Sequence, residues 1–211
     1  MTDHQMLALR GLGINDEAGP PRLPAPTGGW PGPRFPGIIV HPGSGSARKN
    51  WPAERFATAA KTLASRSRLP LGVLSGPADE GVVEHTLRLL RSGGLSSPEI
   101  RAEVFSDLNL PELAGLLSSA RLLLTNDSGV AHLAGAVGTP VVAVFGPSDP
   151  ALWGVRQDRA VNLRRSDCPP CFGDHLRKCE GRDCLHGLGE TETVAAALRL
   201  LRKVWGGSEV G

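Results

Sequence analysis

The sequence predicts an α/β fold built on a doubly wound parallel sheet. Short runs rich in valine, isoleucine and leucine alternate with longer amphipathic stretches along most of the chain. This alternation is typical of parallel strands that are joined by crossover helices and buried on both faces. The chain has 211 residues, a length that suits one well-buried domain with an appendage better than two separate cores.

Each predicted strand is a short apolar run bounded by turn residues. The first run, Gly37 to His41, lies between Pro36 and Pro42 and lacks the polar alternation of a half-exposed strand. The other strands are predicted at residues 69–75, 101–105, 121–125, 140–145 and 160–163. Ligands of such sheets bind beyond the carboxyl ends of the strands, so the loops at those ends are the candidate sites.

Helices are predicted between the strands. The first opens at Pro52, and its predicted core face consists of Phe56, Ala59, Ala60 and Leu63. The others are predicted at residues 79–91, 110–120, 129–137 and 191–204. The predicted core face of the helix over residues 110–120 consists of Leu110, Leu113, Leu116 and Leu117.

The amino-terminal part of the chain is predicted to lie outside the folded domain. Residues 4–12 form a short amphipathic segment that is interpreted as a helix. Residues 19–36 contain seven prolines and four glycines, a composition expected of a linker and not of a core. The folded domain is therefore predicted over residues 37–205, with a cysteine-bearing loop at residues 166–188.

Composition and charge argue against several functions. The net charge is +2 and the basic residues are scattered, so nucleic-acid binding is not expected. No apolar run approaches the roughly 18 residues of a membrane span. The first residues have neither the cationic flank nor the apolar stretch of a secretory signal, which favours a cytoplasmic location.

The loop after the first strand has the residues of a phosphate-binding loop. It reads His41-Pro-Gly-Ser-Gly-Ser46 and is followed by Lys49. Small residues let backbone amides approach an anion, the hydroxyls of Ser44 and Ser46 add donors, and Lys49 supplies a positive charge. A glycine-rich turn with an exposed lysine is the alternative interpretation.

A second candidate loop, Thr125-Asn-Asp-Ser-Gly-Val-Ala-His132, lies where the fourth strand meets its helix. Asp127 is predicted at the strand end and Ser128 at the helix cap, with amides that point toward a ligand. His132 follows about one turn into the helix. The alternative is a simple cap with a histidine that packs on the sheet.

The ordered motifs of these loops resemble those of glycosyltransferase family 9, the heptosyltransferases of lipopolysaccharide synthesis. The motifs are Pro42-Gly-Ser-Gly, Lys49-x-Trp-Pro52, Gly76-Pro-Ala-Asp79, Asn126-Asp-Ser-Gly-x-x-His132 and Phe145-Gly-Pro-Ser-Asp-Pro150. The resemblance covers about residues 37 to 205 and matches the carboxyl-terminal half of the family pattern. It implies a Rossmann-like domain equivalent to the second, donor-binding half of a GT-B glycosyltransferase.

The resemblance implies roles for individual residues in binding ADP-heptose or a related nucleotide sugar. Ser44, Gly45 and Lys49 would contact the diphosphate, with Ser46 beside them. Asp127, Ser128, Gly129 and His132 would hold sugar and phosphate groups. The loop that contains Asp79 would lie near the nucleoside. Some members of the family use an acidic residue where this chain has Ala78, so a preference for adenine does not follow.

The chemistry that the resemblance implies is inverting transfer to a lipopolysaccharide core acceptor, without a catalytic cofactor. In the family, the general base is an aspartate of the amino-terminal domain, and this chain has no counterpart of it. Residues 1–36 resemble the last helix of that domain and its connector. The chain is therefore expected to be incomplete as an enzyme, and peripheral association with the inner membrane is compatible with its acceptor.

Four cysteines form a C-x2-C-x7-C-x4-C pattern and are Cys168, Cys171, Cys179 and Cys184. In a reducing cytoplasm, such a cluster favours a structural zinc site over disulfides. His175 and His186 are possible substitute ligands. Thiols without a metal are the alternative.

Two other functions are compatible with a nucleotide-binding sheet. One is a non-catalytic nucleotide-binding module that acts with a partner subunit. The other is a nicotinamide-dependent dehydrogenase, which is disfavoured because the first loop lacks G-x-G-x-x-G and no acidic residue is suitably placed for a ribose.

Overall fold

Six parallel strands form one sheet in the computed structural model, which describes residues 19–24, 30–92, 100–171 and 179–206. The strands are β1 (Ile38–His41), β2 (Leu71–Leu74), β3 (Ala102–Phe105), β4 (Leu122–Asn126), β5 (Val141–Val144) and β6 (Ala160–Leu163). Their order across the sheet is β3-β2-β1-β4-β5-β6, and every neighbouring pair is parallel. This is the strand order of a Rossmann-like fold, and it confirms the predicted fold class.

The described residues also contain seven α-helices. They are α1 (Ala53–Ser67), α2 (Glu80–Arg91), α3 (Leu110–Ser119), α4 (Gly129–Ala136), α5 (Pro150–Trp153), α6 (Asp183–His186) and α7 (Glu190–Trp205). The five predicted helices are confirmed with small shifts at their ends. The short helices α5 and α6 were not predicted, because four residues are too few to show a periodic pattern.

The helices cover both faces of the sheet and enclose two apolar clusters. In β1, Ile38 and Val40 face the cluster that contains residues of α1, α2 and α7, whereas Ile39 faces the cluster beneath α3 and α4. All three are fully buried, which explains why the strand sequences show no polar alternation. The predicted core face of α1 is confirmed, since all four of its residues are buried.

The prediction that Leu110 belongs to the core is wrong. Its relative exposure is 67%, whereas Leu116 and Leu117 of the same helix are fully buried. Leu110 is the first residue of α3, next to the capping residue Asn109. The first turn of α3 lies outside the apolar layer. The apolar pattern in the sequence is therefore one turn longer than the buried face of the helix.

The described parts of the proline-rich segment pack against the domain. Phe35 is buried in the cluster beneath α3 and α4, and the ring of Trp30 lies 5.6 Å from that of Phe105, edge to face. The Leu23 amide donates to the Ala136 carbonyl at 2.8 Å. Trp30 and Phe35 therefore contribute to the packing of the domain, although the composition of the segment predicted a linker. The helix predicted at residues 4–12 lies outside the described residues.

None of the helices in the described residues combines the length and apolar character required to cross a bilayer.

Candidate functional site

The two predicted loops meet where the strand order reverses. β1 and β4 are neighbours, with His41 paired to Thr125, and the chain continues from them toward opposite edges of the sheet. The loops that leave their carboxyl ends therefore diverge and open a crevice between them, which is where ligands of such sheets bind. The structure brings together the residues that follow β1 and those that follow β4.

Asn126 holds the two loops together. This fully buried residue ends β4, and its amide nitrogen donates to the carbonyls of Pro42 at 2.8 Å and Gly43 at 3.2 Å. Its amide oxygen accepts from the Trp51 backbone at 2.9 Å. One side chain thus fixes both ends of the loop between β1 and α1.

The serines of the first loop act mainly within the loop. The Ser44 hydroxyl is directed at the Asn50 amide oxygen, 2.6 Å away, and at the Ser46 carbonyl, 2.7 Å away, and it accepts from the Ser46 amide. Ser46 caps the short 3₁₀ turn Ala47–Lys49. Gly45 differs, because a Cβ atom built there would meet no heavy atom within 4 Å. The loop therefore presents open backbone at Gly45, where a ligand can approach closely.

Lys49 and Asp127 form an ion pair across the two loops. Lys49 Nζ donates to Asp127 Oδ2 at 2.8 Å, and the Ser148 hydroxyl donates to the same oxygen at 2.6 Å. Asp127 is buried, whereas the lysine side chain is about one-third exposed. The cation is therefore held in place but accessible to an anionic ligand. Ser148 was not predicted individually, although it lies within the motif after β5.

His41 and Asp79 form a second, buried pair. His41 Nε2 lies 3.0 Å from Asp79 Oδ2, and Nδ1 lies 3.2 Å from the Thr125 hydroxyl. Sequence reasoning placed Asp79 near the nucleoside and did not single out His41. A polar residue that ends an otherwise apolar buried strand was the available indication. A Cβ atom at Gly43 would lie 2.0 Å from the Asp79 carboxyl, so this close approach requires glycine.

Ser128 occupies the capping position of α4 but does not cap it. Its side chain makes no hydrogen bond to the first turn, and its hydroxyl lies 3.3 Å from that of Thr125. The prediction of a capping side chain is therefore wrong. The amino end of α4 is left without a side-chain cap at the crevice.

A cleft of about 630 Å³ joins these groups, within the usual range for small-molecule sites. Beside β1 and β4 it is lined by polar and small residues, namely His41, Ser44, Gly45, Asp79, Ser128 and Gly129. Toward β2 and β3 its walls include the apolar residues Leu74, Pro77, Ala78, Leu108 and Leu113, together with the polar residues Ser75, Asp107 and Asn109. The cleft thus offers hydrogen-bonding groups at one end and a surface suited to a flat ring at the other.

Four predicted residues stand outside the cleft walls. Ser46, Lys49, Asp127 and His132 are not among the described residues that line it. Lys49 and Asp127 form the adjoining ion pair, and His132 is exposed on α4, one turn from the loop. The cleft and the ion pair are therefore adjoining parts of one surface, and His132 is the most peripheral of the predicted residues.

The four cysteines are unpaired thiols. Cys184 is buried on α6, and Cys168 packs against the same apolar cluster. Burial raises the pKa of the Cys184 thiol to about 11, with further contributions from the other three cysteines. Among the described residues, no three Cys, His, Asp or Glu side chains already form a metal-binding group. Residues 172–178, which include His175, are not described.

The model of glycosyltransferase family 9 (heptosyltransferase) matches residues 32–179. The chain belongs to glycosyltransferase family 9. The matched region contains both loops, the cleft and the ion pair, so the features described above lie within the part that defines membership of the family. The resemblance inferred from the ordered motifs is confirmed.

Curated members of the family align with part of this chain. Lipopolysaccharide heptosyltransferase 1 of Pseudomonas aeruginosa is 29% identical over 144 residues, which are 66% of this chain and 37% of that protein. Lipooligosaccharide heptosyltransferase 2 of Haemophilus influenzae is 28% identical over 116 residues, 55% of this chain and 32% of that protein. This family 9 chain therefore spans only about a third of the length of these relatives.

Solved structures share the fold. A family 9 glycosyltransferase from Veillonella parvula matches with a TM-score of 0.66 and 28% identity, over 82% of this chain and 48% of that one. Heptosyltransferase II of Escherichia coli matches with a TM-score of 0.64 and 21% identity, over 81% of this chain and 47% of that one. Each match uses about half of the larger protein, in agreement with a single Rossmann-like domain.

Proposed function

We propose that this chain is the donor-binding half of a heptosyltransferase-like enzyme. It binds ADP-heptose or a related nucleotide sugar for inverting transfer to a lipopolysaccharide core acceptor. The observation that carries the proposal is the cleft at the β1/β4 crevice, which combines hydrogen-bonding groups with an apolar end between the family's own motifs. A non-catalytic nucleotide-binding module would need the same cleft but no acceptor.

The polar end of the cleft suits a diphosphate. Gly45 offers open backbone, the first turn of α4 has no side-chain cap, and Lys49 stands beside them. Backbone amides at a helix amino end and a nearby ammonium group stabilise phosphate oxygens. The apolar residues from the loops after β2 and β3 would then hold the base.

The donor half stabilises the leaving group in the transfer reaction. The acceptor oxygen attacks the anomeric carbon opposite the diphosphate, the bond from that carbon to the phosphate oxygen breaks, and the acceptor proton passes to a base. Amides and Lys49 stabilise the charge that develops on the departing diphosphate. Asp79 and Asp127 are already paired with His41 and Lys49, so we assign the base to the acceptor-binding half. The lipid-linked acceptor would bring the assembled enzyme to the inner face of the membrane.

Titration with ADP and UDP tests the proposal. We expect Lys49→Ala and Asp127→Ala each to weaken nucleotide binding by about tenfold to a hundredfold, because each removes a charged partner from the site. Asp127→Ala acts through Lys49, which then loses the carboxylate that holds it.

Lys61→Ala is the matched control. Lys61 lies on α1, and its ammonium group bonds to the Ser92 carbonyl. This variant removes the same charge away from the cleft and should bind like wild type. Unchanged affinity in both site variants would remove these residues from the site. Failure of the wild-type chain to bind any nucleoside diphosphate would refute the proposed function.

A further inference from the structure

Four side chains form a continuous series of contacts beside the cleft, which Asp79, His41 and Ser128 line. Asp79 contacts His41 at 3.0 Å, His41 contacts Thr125 at 3.2 Å, and Thr125 contacts Ser128 at 3.3 Å. Asp79, His41 and Thr125 are buried, and Thr125 is fully so. Only Ser128, at the end of the series, is partly exposed. The position of the Ser128 hydroxyl therefore depends on three residues beneath it.

Each contact restricts the next. The Asp79 carboxylate accepts hydrogen bonds, so it faces a ring nitrogen that carries hydrogen and fixes the orientation of the His41 imidazole. The other ring nitrogen then meets the Thr125 hydroxyl, whose side chain has limited rotamer freedom because it is β-branched. Thr125 thus presents its oxygen to Ser128 from a fixed place.

The Ser128 side chain would otherwise have a different partner. A serine at the capping position ordinarily accepts a hydrogen bond from an amide in the first turn of the helix. Ser128 has the extended backbone of a cap, with φ of −151° and ψ of 163°, but makes no such bond. The contact with Thr125 is the side-chain interaction that replaces it.

We propose that Thr125, held by His41 and Asp79, is a positioning residue that keeps Ser128 from capping α4. The first-turn amides and the Ser128 hydroxyl then both remain available to the diphosphate of the donor. Without Thr125, the serine oxygen would accept a hydrogen bond from the first-turn amide that otherwise binds the phosphate. The ligand would then have to displace the serine oxygen from that amide. This inference rests on the proposed function, because it assigns a ligand to the cleft.

The test is a double-mutant cycle on ADP affinity. Thr125→Val keeps the side-chain volume but removes the hydroxyl, and we expect it to weaken ADP binding by about fivefold to tenfold, the equivalent of a serine cap that the ligand must break. In the Ser128→Ala background the competing cap is absent, so the same substitution should change affinity by less than about twofold. Thr125→Ser retains the hydroxyl and should restore most of the binding.

Thr139→Val is the matched control. Thr139 is also buried, and its hydroxyl donates to the Leu117 carbonyl at 2.7 Å, away from the cleft. It should leave ADP affinity unchanged. Equal weakening by Thr125→Val in both backgrounds would overturn the inference, since Thr125 would then act independently of Ser128.

Two further outcomes separate the inference from the proposed function. If Ser128→Ala weakens binding and Thr125→Val does not, the positioning role is refuted and the donor site stands. If the wild-type chain binds no ADP, the proposed function fails before the cycle can begin. Circular dichroism and thermal unfolding of each variant establish that the chain is folded when affinity is measured.

Discussion

Gly43 and Gly45 stand two residues apart in the first loop and have different structural reasons to be glycine. A Cβ atom at Gly43 would lie 2.0 Å from the Asp79 carboxyl, whereas one at Gly45 would meet nothing within 4 Å. Neither backbone has a positive φ angle in the range that favours glycine. Packing inside the protein therefore requires glycine at position 43. The absence of a side chain at Gly45 instead leaves open space at the surface.

Substitution by alanine distinguishes these two reasons. We expect Gly43→Ala to lower the free energy of unfolding by about 1–3 kcal/mol, because the methyl group must push the Asp79 carboxyl away from His41. We expect Gly45→Ala to leave stability nearly unchanged and to weaken ADP binding by about tenfold, because the methyl group occupies the approach to the backbone. Urea unfolding and calorimetric titration measure the two effects. Equal stability of the two variants would contradict the packing argument.

At the residue scale, the sequence singled out residues of the two loops but not all of the partners that they contact in the structure. Lys49, Asp127 and Ser128 were recognised because charged and hydroxyl residues in small-residue loops are typical of anion sites. His41 and Ser148 were not, since their partners Asp79 and Asp127 are distant in sequence. Only the fold brings such pairs together, and a single sequence does not reveal their distances.

At the scale of elements, the predictions agree with the structure for the strands and for the longer helices. The long helices and all six strands were recovered, because burial on one or both faces imposes a pattern that the residues must follow. The failures are short or terminal: α5 and α6 have four residues each, and Leu110 lies at a helix end. In these places, capping and the local chain path decide the structure, and periodicity carries little information.

The cysteine-bearing loop is the basis of a separate prediction at this scale. We expect purified protein to contain about one zinc ion per chain, bound by Cys168, Cys171, Cys179 and Cys184 in a structural role. The thiols must lose their protons to bind a metal, and burial opposes this by raising the pKa of Cys184 and Cys171. Zinc affinity should therefore fall as the pH is lowered.

Metal analysis by mass spectrometry measures the zinc content directly. Cys184→Ser should reduce it, and removal of zinc by a chelator should lower the melting temperature of the wild-type chain while leaving ADP affinity nearly unchanged. Protein that contains no metal after preparation in zinc-supplemented medium would show that the four thiols are free.

At the scale of the whole molecule, donor binding and transfer are expected to separate. The chain spans 37% of a curated relative that it matches, and the two buried carboxylates of the site are held by His41 and Lys49. We therefore expect the isolated chain to bind ADP but not to transfer heptose to a core-lipid acceptor. A coupled assay of ADP release measures this. Robust turnover by the chain alone would show that it contains a base of its own.

The Asn126 clamp has a consequence for how the site can diversify. Its three hydrogen bonds reach only main-chain atoms, those of Pro42, Gly43 and Trp51. A clamp of this kind is indifferent to which side chains the loop carries between its two anchored ends. The clamp therefore fixes where the loop begins and ends, while the bonds of Ser44 to Asn50 and Ser46 fix its course between those ends. Diversification of the site is therefore confined to the positions between these internal bonds, and it can proceed without rebuilding the sheet beneath them.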